Sequence, residues 1–418
     1  MEQQSFDLAV IGGGAAGLFC AVTAADRGKS DALIEPNDRL GWKLRLTGKG
    51  RCNLTNDCDV KTVLAHIPGG GRFLYGALSR FTPAYAMAWF SERGLPLKTE
   101  RGGRVFPVSD NANDVAELLA ALCRKNGVTQ FRTRAVGIVL DDAGAVCAVR
   151  TEAGSVRCAA AAVCTGGLSY PRTGSTGDGY RLARSLGHQV TPTRPSLVPL
   201  ESPDAFCGEL QGLTLKNVKL TAFEDGRAVY AEQGELLFTH FGISGPLTLT
   251  LSSVLARENW SDVNLSLDLK PALSLEQLDA RLLREFQTSP RKALRNLLPA
   301  LLPARMAELF PALCAVDGEK QAAQVSAAER GRIIAALKAL PMHVTGTRGM
   351  NEAVITSGGV SVREIVPSTM MSKKVSGLFF AGEMIDVDAF TGGFNLQIAF
   401  STGALAGDSA ARYLKEET

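Results

Sequence analysis

No stretch of this 418-residue chain approaches the roughly 18 consecutive apolar residues that a membrane-spanning helix requires. The opening MEQQSFDLAV also lacks the basic run and apolar core of a secretory signal. Both absences lead to the expectation of a cytoplasmic protein with no membrane partner. An excess of either charge is missing too. Lys and Arg number 45 against 42 Asp and Glu, a formal net charge of +3, so bulk electrostatics neither demand nor exclude a polyanionic partner. The nine cysteines are odd in number and several lie in apolar runs (Cys20, Cys123, Cys147, Cys164), which argues against a disulfide scaffold and for small buried hydrophobes in a reducing compartment. No metal is expected. What remains is a globular composition, 45% hydrophobic and 21% charged, in a chain long enough for two or three domains.

The most informative stretch runs from Phe6 to Glu35. A short apolar run, Leu8 to Ile11, enters Gly12-Gly13-Gly14-Ala15-Ala16-Gly17, a helix-compatible Ala- and Leu-rich segment follows, and a second apolar run ends in Glu35. This is the pattern of a βαβ dinucleotide-binding unit: Gly12 takes the tight turn, Gly14 lets backbone N–H groups approach a pyrophosphate, and Gly17 lets helix and strand pack closely. The phosphates then sit on a helix N-terminus. Glu35, 18 positions after Gly17, is placed to accept hydrogen bonds from ribose hydroxyls and repels a 2′-phosphate, so the expected nucleotide is FAD or NAD and not NADP.

After Pro36 the segment to Asn56 has no clean period and reads as a long functional loop, whose Gly48-Lys49-Gly50-Arg51 portion offers an anion nest. Cys52 and Cys58 in and beside it raise a dithiol relay as an alternative use. Helices are expected over Gly71 to Phe81, Pro83 to Gly94 and Asn113 to Asn126, with a hairpin at Gly102-Gly103 between the second and third. Val128 to Val136 then reads as a strand of the nucleotide sheet, Gly137 to Arg157 as an antiparallel meander, and Ala159 to Gly167 as a buried strand returning to the nucleotide. The segment Ser169 to Gly179 opens a helix with small residues and an acid. Residues 190–270 look like a small barrel or sandwich. Beyond them Ser274 with Gln277, and Ser326 with Glu329, are capping-box pairs that start helices. Near the end, Val375 to Gly382 is a buried strand followed by Glu383, and Thr391-Gly392-Gly393-Phe394-Asn395 opens a last helix whose N-terminal amides favour negative charge on a flavin.

Seven ordered blocks, IGGGAAGL, TGKGRCNLTN, GRVFPVS, CTGGLSYPRTGSTGDGY, LFTHFGISGP, SGGVSVREI and GLFFAGEMIDVDAFTGGFNLQ, make the chain resemble the BaiN-like, or aminoacetone-oxidase-like, FAD family of two-dinucleotide-binding-domain flavoproteins. The resemblance implies an α/β fold: a Rossmann-like FAD-binding domain built from both chain ends (1–190 and 345–418), with an inserted β-rich, barrel-like domain (191–272) and an inserted helical segment (273–344). It also implies that Gly12, Gly14, Ala16, Gly17, Glu35, Lys43, Arg51, Val136, Gly382, Glu383, Gly393 and Asn395 line FAD. Neighbouring motif positions complete the candidate set: Ala15, Pro36, Thr47, Gly48, Gly50, Cys52, Asn53, Thr165, Gly166, Gly167, Thr176, Asp178, Gly392 and Phe394.

Three functions follow from these readings. The first is an oxidoreductase that takes hydride from NADH or NADPH as a transient donor and passes it to an activated C=C bond of a small molecule. It needs an acid, for which His240 is the leading candidate and Tyr170 and Arg172 are alternatives. The second is an amine or aminoketone oxidase using dioxygen, which suits the lack of a second complete glycine fingerprint. The third is a flavoenzyme of the dihydrouridine synthase type acting on ribosomal RNA, with Arg291, Lys292 and Arg295 as phosphate contacts. No RNA-binding motif with aromatic stacking positions is visible. The oligomeric state is not legible.

Overall fold

The computed structural model describes residues 5–257 and 263–416. Two compact units are formed, one by Met1–Ser196 with Gly349–Thr418 and the other by Leu197–Arg348.

In the first unit, Ser5–Ile11 lies between two parallel neighbours, Asp31–Ile34 and Gly154–Val163. Thr129–Phe131 adds a further parallel strand beside Asp31–Ile34. It is shorter than the expected Val128 to Val136, because Ala135 already begins an antiparallel strand, Ala135–Leu140, that pairs with Val146–Thr151. On its other edge the strand Gly154–Val163 has two partners in succession. Its first residues pair with Val146–Thr151, and Ala161 to Val163 pair in parallel with Leu378–Phe380 from the far end of the chain. Leu8 to Ile11, Asp31 to Ile34 and Ala160 to Val163 are buried throughout, as strands covered on both faces must be.

The two chain ends are joined by helix packing as well. Helix Ala15–Asp26 lies against the last helix, Phe394–Glu416. A Cβ at Gly403 would collide with Ala16 O, and one at Gly407 with Cys20 O, so glycines four residues apart let the backbones touch. The helices Gly71–Arg80, Pro83–Glu92 and Ala112–Lys125 and the hairpin Leu97–Glu100/Arg104–Pro107 form where the periodicity placed them. The expected loop after Pro36 is a correction. Trp42–Gly50 is helical at its start, then breaks where Thr47 turns extended and Gly48 and Lys49 turn left-handed. An antiparallel ribbon, Val190–Ser196 with Ile355–Val360, stands where the chain leaves and re-enters this unit.

The second unit holds a seven-stranded antiparallel sheet in the order Leu340–His343, Val263–Asp268, Thr214–Glu224, Arg227–Thr239, Gly242–Ser244, Leu200–Glu201 and Gly346–Thr347. Its two end strands are linked only by Val344 and Thr345. A step from His343 to Gly346 spans at most about 11 Å, so the sheet must roll until its edges approach, which gives the barrel-like form. Helices Leu275–Thr288 and Ala327–Lys338 begin with the expected capping boxes at Ser274/Gln277 and Ser326/Glu329. Leu278, Leu282, Phe286, Ile333 and Leu337 on these helices share one hydrophobic cluster with Leu220, Phe238 and Leu265 of the sheet.

Candidate functional site

The carboxyl ends of the parallel strands Ser5–Ile11, Asp31–Ile34, Gly154–Val163 and Leu378–Phe380 carry the candidate residues, where open α/β sheets bind ligands. In the glycine turn each position has a distinct duty. Gly12 has φ +104°, and a Cβ there would stand 2.6 Å from Cys164 O. A Cβ at Gly17 would run into Gly12 O. Gly14 faces open space: among the described residues, its chain neighbours aside, no atom lies within 4 Å of a Cβ built on it. Two glycines are thus fixed by packing, and the third leaves room for a ligand over the N-terminus of helix Ala15–Asp26.

Glu35 closes the second strand. Its Oε2 accepts from Gly13 N–H at 2.7 Å, and its Oε1 accepts from the backbone and side-chain N–H groups of Asn37 at 2.9 and 2.8 Å. A carboxylate oxygen has two lone pairs, so Oε2 retains capacity for a ribose hydroxyl. Asn37 also donates to Thr173 O at 3.1 Å, tying the ribose end to the loop after Gly167. Val136, on strand Ala135–Leu140, is 44% exposed.

Four remote segments meet at Glu383. Its Oε2 accepts from Lys43 Nζ at 2.5 Å, and its Oε1 accepts from Ser169 Oγ at 2.6 Å and Thr356 N–H at 2.9 Å. Lys43 also donates to Ser169 Oγ at 2.6 Å, and the Thr356 hydroxyl accepts from Leu168 and Ser169 N–H at 2.8 and 3.1 Å. Gly167 is glycine of necessity here, since a Cβ would stand 2.8 Å from Glu383 Oε1. Gly382 has φ +77°, and its Cβ would stand 2.7 Å from Ala16 Cβ, which sets Glu383 beside the first turn of the glycine-fingerprint helix. Tyr170, next to Ser169, is held left-handed (φ 52°, ψ 58°), with Lys43 Nζ 5.9 Å from its ring centroid.

The loop 47–56 and the start of the last helix are one assembly. Asn56 donates to Gly392 O at 3.0 Å, the Thr55 hydroxyl donates to Gln397 Oε1 at 2.6 Å, and a Cβ at Gly393 would collide with Thr55 O. His66 stacks on Phe394 at 4.2 Å. Asn395 spends its amide on the preceding loop, accepting from Ala389 N–H at 2.9 Å and donating to Ala389 O at 2.7 Å.

Other expected residues have partners within this chain. Arg51 pairs with Glu100 and Asp110 and stacks over Phe106 at 4.2 Å, and Arg45 bonds Asn113 and Glu117, so the basic loop is largely neutralised by acids of this chain. Asp178, at the start of helix Asp178–Ser185, is bound by Arg134 and Arg181, and Thr176 accepts from Arg134 at 3.3 Å. The Thr47 hydroxyl donates to Leu44 O at 2.7 Å. Gly48 and Gly50 supply left-handed turns, as does Gly166 after Thr165, while Ala15, Pro36 and Gly392 shape the surrounding backbone. Burial pushes the Cys52 thiol up to about 12, and burial with Asp59 and Asp57 nearby pushes Cys58 up to about 11, which keeps both protonated and argues against a dithiol relay. His240 lies in the second unit, exposed on the two-residue turn between Arg227–Thr239 and Gly242–Ser244. Its neighbour Phe241 is fixed by Ser202 N–H on its carbonyl at 2.9 Å and by Arg348 over its ring at 4.6 Å. Arg172 is exposed on a single turn, Pro171–Thr173.

Sequence reasoning missed Asn37, Ser169 and Thr356. Ser169 stood inside a motif block, but nothing in the spacing signalled that it would bridge Lys43 and Glu383.

These residues fit FAD. Gly14 leaves an open approach to N–H donors for a pyrophosphate, and Glu35 suits a free ribose. Asn53 Oδ1 is a buried acceptor with no donor among the described residues, and Val136 and Val354 (38% exposed) offer apolar surface. The fold and site define a FAD-binding flavoprotein of the Rossmann type, and comparison with known proteins makes it an oxidoreductase. The chain belongs to the family described as the HI0933-like protein Rossmann domain, whose family model matches residues 6–409. It is 31% identical over 401 residues to the ribosomal RNA dihydrouridine synthase of Escherichia coli (strain K12), covering 96% of each chain. It is also 31% identical over 412 residues to the 3-dehydro-bile acid delta(4,6)-reductase of Clostridium scindens, covering 97% of this chain and 98% of that protein. Among solved structures, the 3-ketosteroid-delta4-(5alpha)-dehydrogenase from Rhodococcus jostii RHA1 is similar with a TM-score of 0.54, 15% identity and 97% of each chain covered, a likeness of fold.

Proposed function

We propose that this protein is a FAD-dependent reductase that takes hydride from NADH or NADPH and passes it to a C=C bond conjugated with a carbonyl group, in a steroid- or enone-like small molecule. Two names among its relatives, a delta(4,6)-reductase and a dihydrouridine synthase, both denote saturation of a C=C bond. When bound, FAD supplies hydride acceptance and donation. The chain must supply a proton to the carbon beside the one that receives hydride.

The observation that carries the reading is Tyr170 beside Lys43 at the carboxyl end of the sheet. A phenol at this end of the sheet carries a proton of the kind the step requires. Its left-handed backbone, uncommon for a bulky residue, supports the reading. His240 on its clamped turn is the competing donor.

Ribosomal RNA is the second acceptor, favoured by the name of the Escherichia coli relative. Charge supports it weakly. Arg295 pairs with Glu319 and Arg305 donates to Gln211 O and Glu209 O, while Arg291 and Lys292 are exposed.

The test is anaerobic reduction of the FAD-loaded protein by NADH or NADPH, followed by mixing with enones, 3-keto steroids or ribosomal RNA. Bleaching by a nicotinamide and reoxidation by an enone support the reading. Reoxidation by RNA alone moves the acceptor to the second reading. Bleaching by an amine and not by a nicotinamide overturns both.

A further inference from the structure

The cluster around Glu383 is larger than holding a cofactor requires. It joins one cation and one anion at 2.5 Å, with side chains only 21% and 12% exposed, and it is assembled from segments 340 residues apart. Two donors besides Lys43 converge on the carboxylate, the Ser169 hydroxyl and the Thr356 N–H, and a Cβ at position 167 would crowd both the Thr356 side chain and the carboxylate. Lys43 uses two of its three N–H donors here, on Glu383 and Ser169, and keeps one.

From this geometry we infer that Lys43 and Glu383 are a charge-compensated pair that sets the reduction potential of the bound flavin, with Ser169 and Thr356 as positioning residues. The inference rests on the FAD part of the proposed function and not on the acceptor. Reduction adds negative charge to the flavin. A nearby net positive charge makes that easier and a net negative charge makes it harder. In the paired state the two contributions oppose one another. Removing either partner exposes the other in a partly buried setting, where water screens it poorly. The two single substitutions must therefore move the potential in opposite directions, which a purely structural role would not do.

The experiment measures the potential of the FAD-loaded protein by equilibration with reference dyes, for wild type, Glu383→Gln, Lys43→Met and the double variant. Glu383→Gln should raise the potential, Lys43→Met should lower it, and the double variant should fall between them. Shifts of the same sign, or no shift in a single variant that retains FAD, overturn the inference. If Glu383→Gln loses FAD, Lys43→Met and Lys43→Arg decide: a fall for Met with little change for Arg supports the pair. An unchanged potential for Met overturns it, as does loss of FAD from both. Failure of wild type to hold FAD would refute the cofactor reading instead, and opposite shifts in a protein that no nicotinamide bleaches would refute only the reductase reading.

Discussion

Asp31 opens the second parallel strand, only 2% exposed, and neither carboxylate oxygen has a hydrogen-bond partner among the described residues. Burial raises its pKa from 3.8 to about 8, the charge of Asp7 adds to the rise, and Lys29 partly offsets it. Between pH 4 and pH 8 the folded protein keeps this proton while the unfolded chain loses it. Stability therefore falls as pH rises through that window, at about 1.4 kcal/mol per pH unit, and is lowest above pH 8. Across the window this amounts to an upper estimate of ~5 kcal/mol. Valine has a similar branched shape and suits a strand, so Asp31→Val deletes the effect with little change in packing. At roughly 2 °C per kcal/mol for a unit of this size, the advantage in melting temperature of the variant over wild type should be about 10 °C larger at pH 8.5 than at pH 4.5. The protonated-carboxyl infrared band present at pH 7 should vanish. Asp31 lies four residues, about 13 Å, along the strand from Glu35, so FAD content should not change. An advantage that is the same at both pH values, or a variant less stable than wild type at pH 8.5, would refute the reasoning.

Other substitutions separate packing from binding. Gly14→Ala should fold normally, because open space surrounds its Cβ, yet lower FAD affinity by about tenfold or more as the methyl blocks the phosphates, read by flavin fluorescence titration. Gly17→Ala should fail earlier, losing soluble yield, because its Cβ collides with Gly12 O; equal behaviour of the two would contradict the division of duties. Tyr170→Phe should slow reoxidation by an enone about 10²-fold or more while leaving reduction by nicotinamide intact, whereas a comparable loss in His240→Asn and not in Tyr170→Phe would transfer the acid role. Cys58→Ser should bleach at the wild-type rate, and both Cys52 and Cys58 should react slowly with a thiol reagent at pH 8.

The legible features were those specified by neighbouring residues. Glycine turns, the acid after the second strand, the capping boxes at Ser274 and Ser326 and the amphipathic helix Ala112–Lys125 each depend on spacing within a few dozen positions, which a sequence displays directly. Contacts made by closure of the fold were not legible. The acids that pair with Arg51, Glu100 of the hairpin and Asp110 after it, and the Arg134 that pairs with Asp178 from just before strand Ala135–Leu140, are set by the fold and leave no signal in the spacing. The helical start of Trp42–Gly50 was hidden because two glycines and a lysine in left-handed geometry interrupt it within two turns. The rolled sheet of the second unit depends on which edges meet, and periodicity does not encode that.

The order in which the site can assemble follows from the same separation in sequence. Gly12 to Gly17 form a turn locally, but Gly382 must reach Ala16, Gly393 must reach Thr55, and Glu383 must reach Lys43 before a pocket exists. Those contacts close loops of more than 300 residues and depend on strand Leu378–Phe380 pairing with Gly154–Val163 and on Gly403 and Gly407 seating against helix Ala15–Asp26. A ligand that binds only the completed arrangement stabilises it by mass action, by RT ln(1 + [L]/Kd). FAD should therefore protect both chain ends together, the first helix and the last, although they stand at opposite limits of the sequence. The buried acceptor of Asn53 and the exposed valines at 136 and 354 are what such a ligand would satisfy and cover.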